Sequence, residues 1–324
     1  MIGKFSTIRI VLLLLFFSEF GFAQQNCDQK CKNLRDTIAR LKRSVVSVFT
    51  YDTTNKDAKI SEKFFGLGSG FFYKKCNIIT NSHVVGESEE IGISIPGTKK
   101  GRRATVIAND KRMDIAVLRL DKPYKCKPIK SANFRDFALG TPVISVGNPM
   151  GLGWSVTSGI ISADNRSLGP KKFHRYIQSD AVIFPGNSGG PLLTLSGELL
   201  GINTIATINA GLGFAFPSYI MDRILPELIS HTRLRPRYLG IKAKQNKNAD
   251  KVSFEDYFAG VKVAEVTKGS PAFKAGIRKN DILIRFDGHE IKSLDDLEME
   301  LYSHRIGSVV NVEALVKGKK LEES

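Results

Sequence analysis

The chain is short of the features that mark metal proteins, membrane spans and nucleotide-binding folds. Its 324 residues include four cysteines, five histidines and one tryptophan. Cys27, Cys31, Cys76 and Cys126 show no metal-ligand spacing. Their even number suits disulfides in an oxidising compartment. Long apolar runs are also missing. Ile10–Phe17 (IVLLLLFF) is eight residues long and is followed by Ser18 and Glu19. That falls well short of the roughly 20 residues needed to span a bilayer. Acidic residues are scarce: 32 Asp and Glu face 48 Lys and Arg, a formal charge of +16. The basic clusters, such as Lys99-Lys100-Gly101-Arg102-Arg103 and Lys171-Lys172, are not interleaved with aromatics. That argues against nucleic acid as a partner. A solvated surface is one reading of the charge; attraction to an anionic envelope surface or to acidic substrates is the other. What remains is a soluble globular composition, 42% hydrophobic and 25% charged, long enough for two or three domains.

Residues 1–23 read as a secretory signal peptide: Lys4 and Arg9, a short apolar core, then Gly21-Phe22-Ala23 before a cut. A retained membrane anchor is the competing reading, disfavoured by the short run. Residues 24–43 form an N-terminal segment in which Leu34, Ile38 and Leu41 fall at helical spacing. From Ser44 the texture changes to short β-branched stretches, among them 44–50, 91–95, 114–120 and 142–146. Gly, Pro, Asn and Asp punctuate them, and Leu195-Ser196-Gly197-Glu198 reads as a hairpin turn. Such texture indicates barrels or sandwiches. Residues 219–231 read as a helix despite Pro226, and 231–237 as a basic linker. A second domain, 238–324, contains a helix signature at Ser293–Leu301 with an N-cap serine. The chain ends soon after the strand-like 309–316, which predicts little room for a closing strand there.

Gly186-Asn187-Ser188-Gly189-Gly190-Pro191-Leu192 carries the most chemical information. A serine hydroxyl is a poor nucleophile without a base and a site for negative charge. A glycine-rich turn supplies the second by aiming backbone N–H groups inward. A phosphate loop needs a lysine after its last glycine, and Pro191 stands there instead. His83, in Thr80-Asn81-Ser82-His83-Val84-Val85, is the best base. Asp114 heads the apolar run Ile115-Ala116-Val117-Leu118 and is the best orienter. Singly, the three read equally well as a core histidine, a strand-end cap and a hairpin turn. Together, in the order His83, Asp114, Ser188, they read as a nucleophilic triad.

These motifs, with Gly68-Ser69-Gly70, Gly147-Asn148-Pro149-Met150-Gly151, Thr157-Ser158-Gly159-Ile160, Gly201-Ile202-Asn203-Thr204 and Gly213-Phe214-Ala215-Phe216-Pro217, resemble the HtrA (Deg) serine proteases. Ser82 and Phe184 depart from the family's usual residues, beside the triad rather than in it. The resemblance implies an all-β chymotrypsin-like double β-barrel over 44–230, followed by a small α+β PDZ domain. It implies a periplasmic endopeptidase cleaving unfolded proteins, acting as a homotrimer and needing no metal or cofactor. The oxyanion hole then falls on Gly186, Asn187 and Ser188, with Gly186 and Ser188 as N–H donors. An apolar specificity pocket is formed by Val182 and Ile183 at its base and Thr204, Ile205, Ala206 and Gly213 on its walls, favouring cleavage after Val, Ile or Ala. Arg166 matches the arginine of an activation loop. Tyr238-Leu239-Gly240-Ile241 matches the loop that holds a peptide's C-terminal carboxylate while the peptide adds as a strand. In such a barrel the strand before His83 pairs antiparallel with the strand after Asp114, which brings Cys76 and Cys126 to one rim as a disulfide. A PDZ-bearing holdase with a silent protease fold is the alternative function; the intact triad argues against it.

Overall fold

The computed structural model describes residues 32–51, 64–88, 90–133, 138–148, 153–166, 175–207, 211–232, 234–235, 237–246, 260–316 and 319–323. The expected leader, Cys27 and Cys31 lie outside the described residues.

Helix α1 (residues 32–41) lays Leu34, Ile38 and Leu41 on the protein body. The chain then enters a closed six-stranded barrel of β1 (Val45–Tyr51), β2 (Phe64–Tyr73), β3 (Asn77–Thr80), β4 (Glu90–Ser94), β5 (Arg102–Asp110) and β6 (Ile115–Leu120). Its strand order is β1-β2-β3-β6-β5-β4. A one-turn helix, α2 (Ser82–Val85), follows β3. The second closed barrel uses β7 (Pro142–Gly147), β8 (Ser155–Arg166), β9 (Tyr176–Ser179), β10 (Pro191–Thr194), β11 (Leu199–Thr207) and β12 (Leu212–Pro217). It repeats the topology of the first, in the cyclic order β7-β8-β9-β12-β11-β10. Closure leaves neither sheet an open edge.

Cys76 and Cys126 are disulfide-bonded, with Cα atoms 5.9 Å apart. The antiparallel pairing of β3 with β6, Ile78 opposite Leu118 and Thr80 opposite Ala116, brings their strand ends to one rim. The bond fastens the strap 121–130 across that rim. Tyr124 stacks on Phe72 with ring centroids 5.6 Å apart, and Ile129 N–H donates to Phe72 O at 2.9 Å.

Helix α3 (Ser218–His231) seals the barrels by burying Ile220, Met221, Ile224, Leu225 and Leu228. Beyond it lies a sheet of β13 (Ile241–Gln245), β14 (Val261–Val266), β15 (Ile282–Phe286), β17 (Val312–Val316) and β18 (Lys319–Glu323), with β16 (His289–Glu290) beside β15. Two helices accompany the sheet, α4 (Pro271–Lys274) and α5 (Leu294–Ser303). Ser293 caps α5 in a capping box with Asp296. The closing strand is present after all: β18 pairs with β17 from Val316–Lys319 to Val312–Glu323. Five residues suffice for it because a hairpin brings them straight back along β17.

Candidate active site

Ser188 sits in the turn that leads into β10. Asn187 N–H donates to Phe184 O at 2.9 Å, and Gly186 has φ of +99°. With Pro185 before it, this is a type II turn, which demands a positive φ at its third residue and therefore glycine. Among the described residues neither Gly186 N–H nor Ser188 N–H is donated within the chain. Both remain available to an incoming anion. Ser69 clamps the turn from the first barrel. Its Oγ donates to Gly186 O at 2.6 Å and accepts from Asn148 N–H at 2.9 Å, and its own N–H donates to Ser188 O at 2.8 Å. A Cβ at Gly189 would stand 2.2 Å from Ser69 O and 2.3 Å from Thr80 Oγ1. Only glycine lets the serine turn approach the end of β3 this closely.

The β3–β6 register also assembles the other two residues. Thr80 pairs with Ala116, so the chain just beyond β3 meets the chain just before β6. His83 Nδ1 lies 2.8 and 3.0 Å from Asp114 Oδ2 and Oδ1, and His83 N–H donates to Asp114 Oδ1 at 2.9 Å. An ionised carboxylate only accepts, so Nδ1 carries the proton and a neutral ring keeps its lone pair on Nε2. Asp114 holds this pose at φ +53°, a left-handed conformation that aspartate tolerates better than most residues. Asn81 Nδ2 donates to Asp114 O at 2.9 Å and to Thr204 Oγ1 at 3.1 Å, tying β11 to the histidine side of the cleft. Burial, and after it the charge of nearby Asp114, push the Tyr176 hydroxyl pKa up. Among the described residues no hydrogen bond links Ser188 Oγ to His83. In unliganded enzymes that contact commonly tightens only when substrate arrives.

Sequence reasoning missed Ser69 and Asn81 as supports, and took Thr204 for a pocket wall only. Its other candidates are placed as follows. Ile183 is buried, and a Cβ on Gly213 would come within 2.6 Å of Ile183 Cδ1. Ile183 therefore fills the back of the expected pocket. Val182 is 43% exposed, with its carbonyl accepting from Thr157 Oγ1 at 2.8 Å. It is not a buried floor, because residues 180–182 are pinned to β8 and turn its side chain to the surface. The side chains of Ile205 and Ala206 lie outside the described residues. Arg166 is the last residue of β8 rather than part of a loop, paired with Tyr176 and donating from Nε to Gln178 Oε1 at 3.2 Å. The β8–β9 ladder runs further than the turn-like Ala163-Asp164-Asn165 suggests. Among the described residues no three His, Cys, Asp or Glu side chains converge as a metal would need.

In the second domain, Tyr238-Leu239-Gly240-Ile241 borders a groove of about 350 Å³ between β13 and α5. Ile241 and Ala243 line one wall; Leu294, Leu297 and Leu301 line the other. Arg112, from the β5–β6 turn, reaches the groove and donates to Glu298 at 3.3 Å and to Tyr302 OH. Arg112 and Arg237 both lie over the Tyr302 ring, at 4.5 and 5.2 Å. Arg175 pairs with buried Glu300 at 2.7 Å.

Comparisons with known proteins agree with this architecture. Residues 68–202 match the family model of a trypsin-like peptidase domain, and 237–323 that of a PDZ domain. The chain is 31% identical to a probable periplasmic serine endoprotease, DegP-like, of Buchnera aphidicola, over 98% of this chain and 76% of that one. It is 34% identical to the periplasmic pH-dependent serine endoprotease DegQ of Escherichia coli, over 90% and 69%. It is 35% identical to the periplasmic serine endoprotease DegP of Salmonella typhimurium, over 80% and 56%. The chain thus spans between about half and three quarters of the length of these relatives. The HtrA-type protease AlgW with a tripeptide superposes with a TM-score of 0.69 at 26% identity, over 89% of this chain and 94% of that one. The serine endoprotease of Yersinia pestis superposes at 0.63 with 29% identity, over the same shares. With two six-stranded barrels, one PDZ domain and these relatives, the chain belongs to the HtrA family of serine endoproteases.

Proposed function

We propose that Ser188, His83 and Asp114 are the catalytic triad of an exported endopeptidase that cleaves unfolded proteins. The observation that carries this reading is the two-point contact of His83 with Asp114, which leaves Nε2 unprotonated. Ser188 Oγ attacks the scissile carbonyl carbon while its proton passes to His83 Nε2. Asp114 fixes the tautomer and stabilises the imidazolium. The N–H groups of Gly186 and Ser188 receive the carbonyl oxygen as it becomes negative. His83 then protonates the leaving amine, the peptide bond breaks, and water repeats the sequence on the acyl-enzyme.

Among the described residues expected around the slot, Val182, Ile183, Thr204 and Gly213, none is a carboxylate, which favours cleavage after Val, Ile or Ala. The groove between β13 and α5 takes a peptide C-terminus as an added strand, with alternate apolar side chains on its leucines. The family resemblance adds a homotrimer and a periplasmic location. The decisive experiment is fluorophosphonate labelling alongside casein digestion. Wild type is expected to react and digest, whereas Ser188→Ala does neither, a loss on the order of 10⁶ in turnover. Digestion by the alanine variant at the wild-type rate would refute the triad. Fragments ending mostly in Lys or Arg would refute the apolar slot.

A further inference from the structure

The first barrel is charge-polarised along its axis. One rim gathers the β2–β3 turn, the β4–β5 turn with the start of β5, and the end of β6 with the strap behind it. Residues 74–76, 95–103 and 119–127, which make up this rim, carry ten Lys and Arg and one acidic residue, Asp121. The opposite rim carries His83, with Glu87, Asp110 and Asp114 against Lys111 and Arg112, so its charges nearly cancel. Barrel topology, not local sequence, brings the three basic stretches together. The Cys76–Cys126 bond joins two of them, and Arg102 lies 4.8 Å over the Tyr124 ring to join the third.

Most of the rim's lysines are left uncompensated. Lys75, Lys99, Lys122, Lys125 and Lys127 are exposed, and none makes an ion pair among the described residues. The paired rim cations are Lys74, with Asp222, and Arg103, with Glu90. By contrast Arg112, Arg175 and Arg237 are all paired at the contact between the domains. Exposed lysines are hydrated point charges without the fork that recognises one phosphate or carboxylate. They suit a diffuse anionic surface, to which each adds attraction. The rim also lacks a stacking platform for bases, because Phe72 and Arg102 cover the faces of Tyr124.

We propose that this rim docks the protein on an anionic phospholipid bilayer, with the catalytic cleft turned away. The six residues of β6 separate the rims by about 20 Å. That is more than two screening lengths of about 8 Å at physiological salt, so docking leaves the triad open to substrate and electrically undisturbed.

Co-sedimentation with lipid vesicles tests this. The purified protein is expected to bind vesicles of phosphatidylcholine and phosphatidylglycerol in equal parts, and not phosphatidylcholine alone. Raising ionic strength from about 0.1 to about 1 M, which cuts the screening length from about 10 to about 3 Å, releases it. Each rim lysine contributes about fivefold to partitioning. A variant with Lys99, Lys100, Lys125 and Lys127 each replaced by Gln therefore binds on the order of several hundredfold more weakly, while digesting casein in solution as wild type does. A control of equal charge, with Lys244, Lys268, Lys274 and Lys279 of the second domain replaced by Gln, keeps its binding. Undiminished binding by the rim variant, an equal loss in the control, or equal binding to phosphatidylcholine alone would each overturn the proposal. Stronger retention on soluble polyglutamate than on vesicles would also overturn it, and would assign the rim to acidic polypeptides.

Discussion

Gly186 concentrates the chemistry of the site into one dihedral angle. At φ +99° it aims its N–H away from the turn's own hydrogen bond. A β-carbon disfavours that angle, so alanine relaxes the turn and withdraws one of the proposed oxyanion donors. Gly186→Ala is expected to lower kcat by about 10²–10³ with little change in KM, the cost of one such donor. Fluorophosphonate labelling should slow in parallel; an unchanged kcat would mean the donor is elsewhere. Ile183→Ala should empty the back of the slot and shift cleavage toward Leu, Met and Phe. Mass spectrometry of casein fragments reads that shift, on the order of 10–200-fold per methylene-sized change. The proposed triad of His83, Asp114 and Ser188 could be named from the sequence because the chemistry admits few residue types and the motifs around them are specific. Ser69 and Asn81 were not, because a small polar residue acquires such a role only through contacts far away in sequence. The exposure of Val182 was hidden for the same reason: the bond from Thr157 that pins its carbonyl is a tertiary contact.

Helix α3 is both a lid on the barrels and an anchor for the second domain. Glu227, on its last turns, accepts from Arg235 N–H at 3.0 Å and pairs with Arg237 at 2.7 Å. The Arg237 bond, with those from Arg235, holds its carboxyl down to about 2 from the ordinary 4.5, against a smaller opposing effect of burial. Because the folded value is depressed, the anchor's contribution is complete above pH 4.5 and fades as pH falls from 4.5 toward about 2. Thermal melts across that window should lose a component that Glu227→Gln lacks from the start; identical pH profiles would exclude it. Among the elements, the short alternating strands and the capped helix α5 were readable from periodicity and capping. Strand β18 was not. Lys319-Lys320-Leu321-Glu322-Glu323 has the charged composition of a sheet edge, which guards against further pairing and hides the β pattern. The length of β8 was hidden by the turn-forming residues Asp164 and Asn165 within it.

The whole molecule holds its second domain through buried charge as well as apolar packing. Met299 and Tyr302 of α5 join the core that fills the protease barrels. Arg175→Met would leave Glu300 with, among the described residues, His289 alone at 3.3 Å, largely uncompensated inside that contact. Breaking one partner of such a pair costs about 3–5 kcal/mol. Small-angle scattering should then show a larger radius of gyration while the triad still labels; an unchanged radius would mean apolar packing alone holds the domain. The disulfide has a mechanical consequence of its own. It makes a covalent ring of the segment from Cys76 to Cys126, with His83 and Asp114 threaded on it and Ser188 outside. Pulled from its ends, the oxidised chain cannot extend that ring, so 50 residues stay hidden from the force. At about 3.3–3.6 Å per residue, the contour length falls short by about 170 Å. Stretching single molecules with and without reductant should reveal that slack as one discrete step, appearing only when the bond is cut.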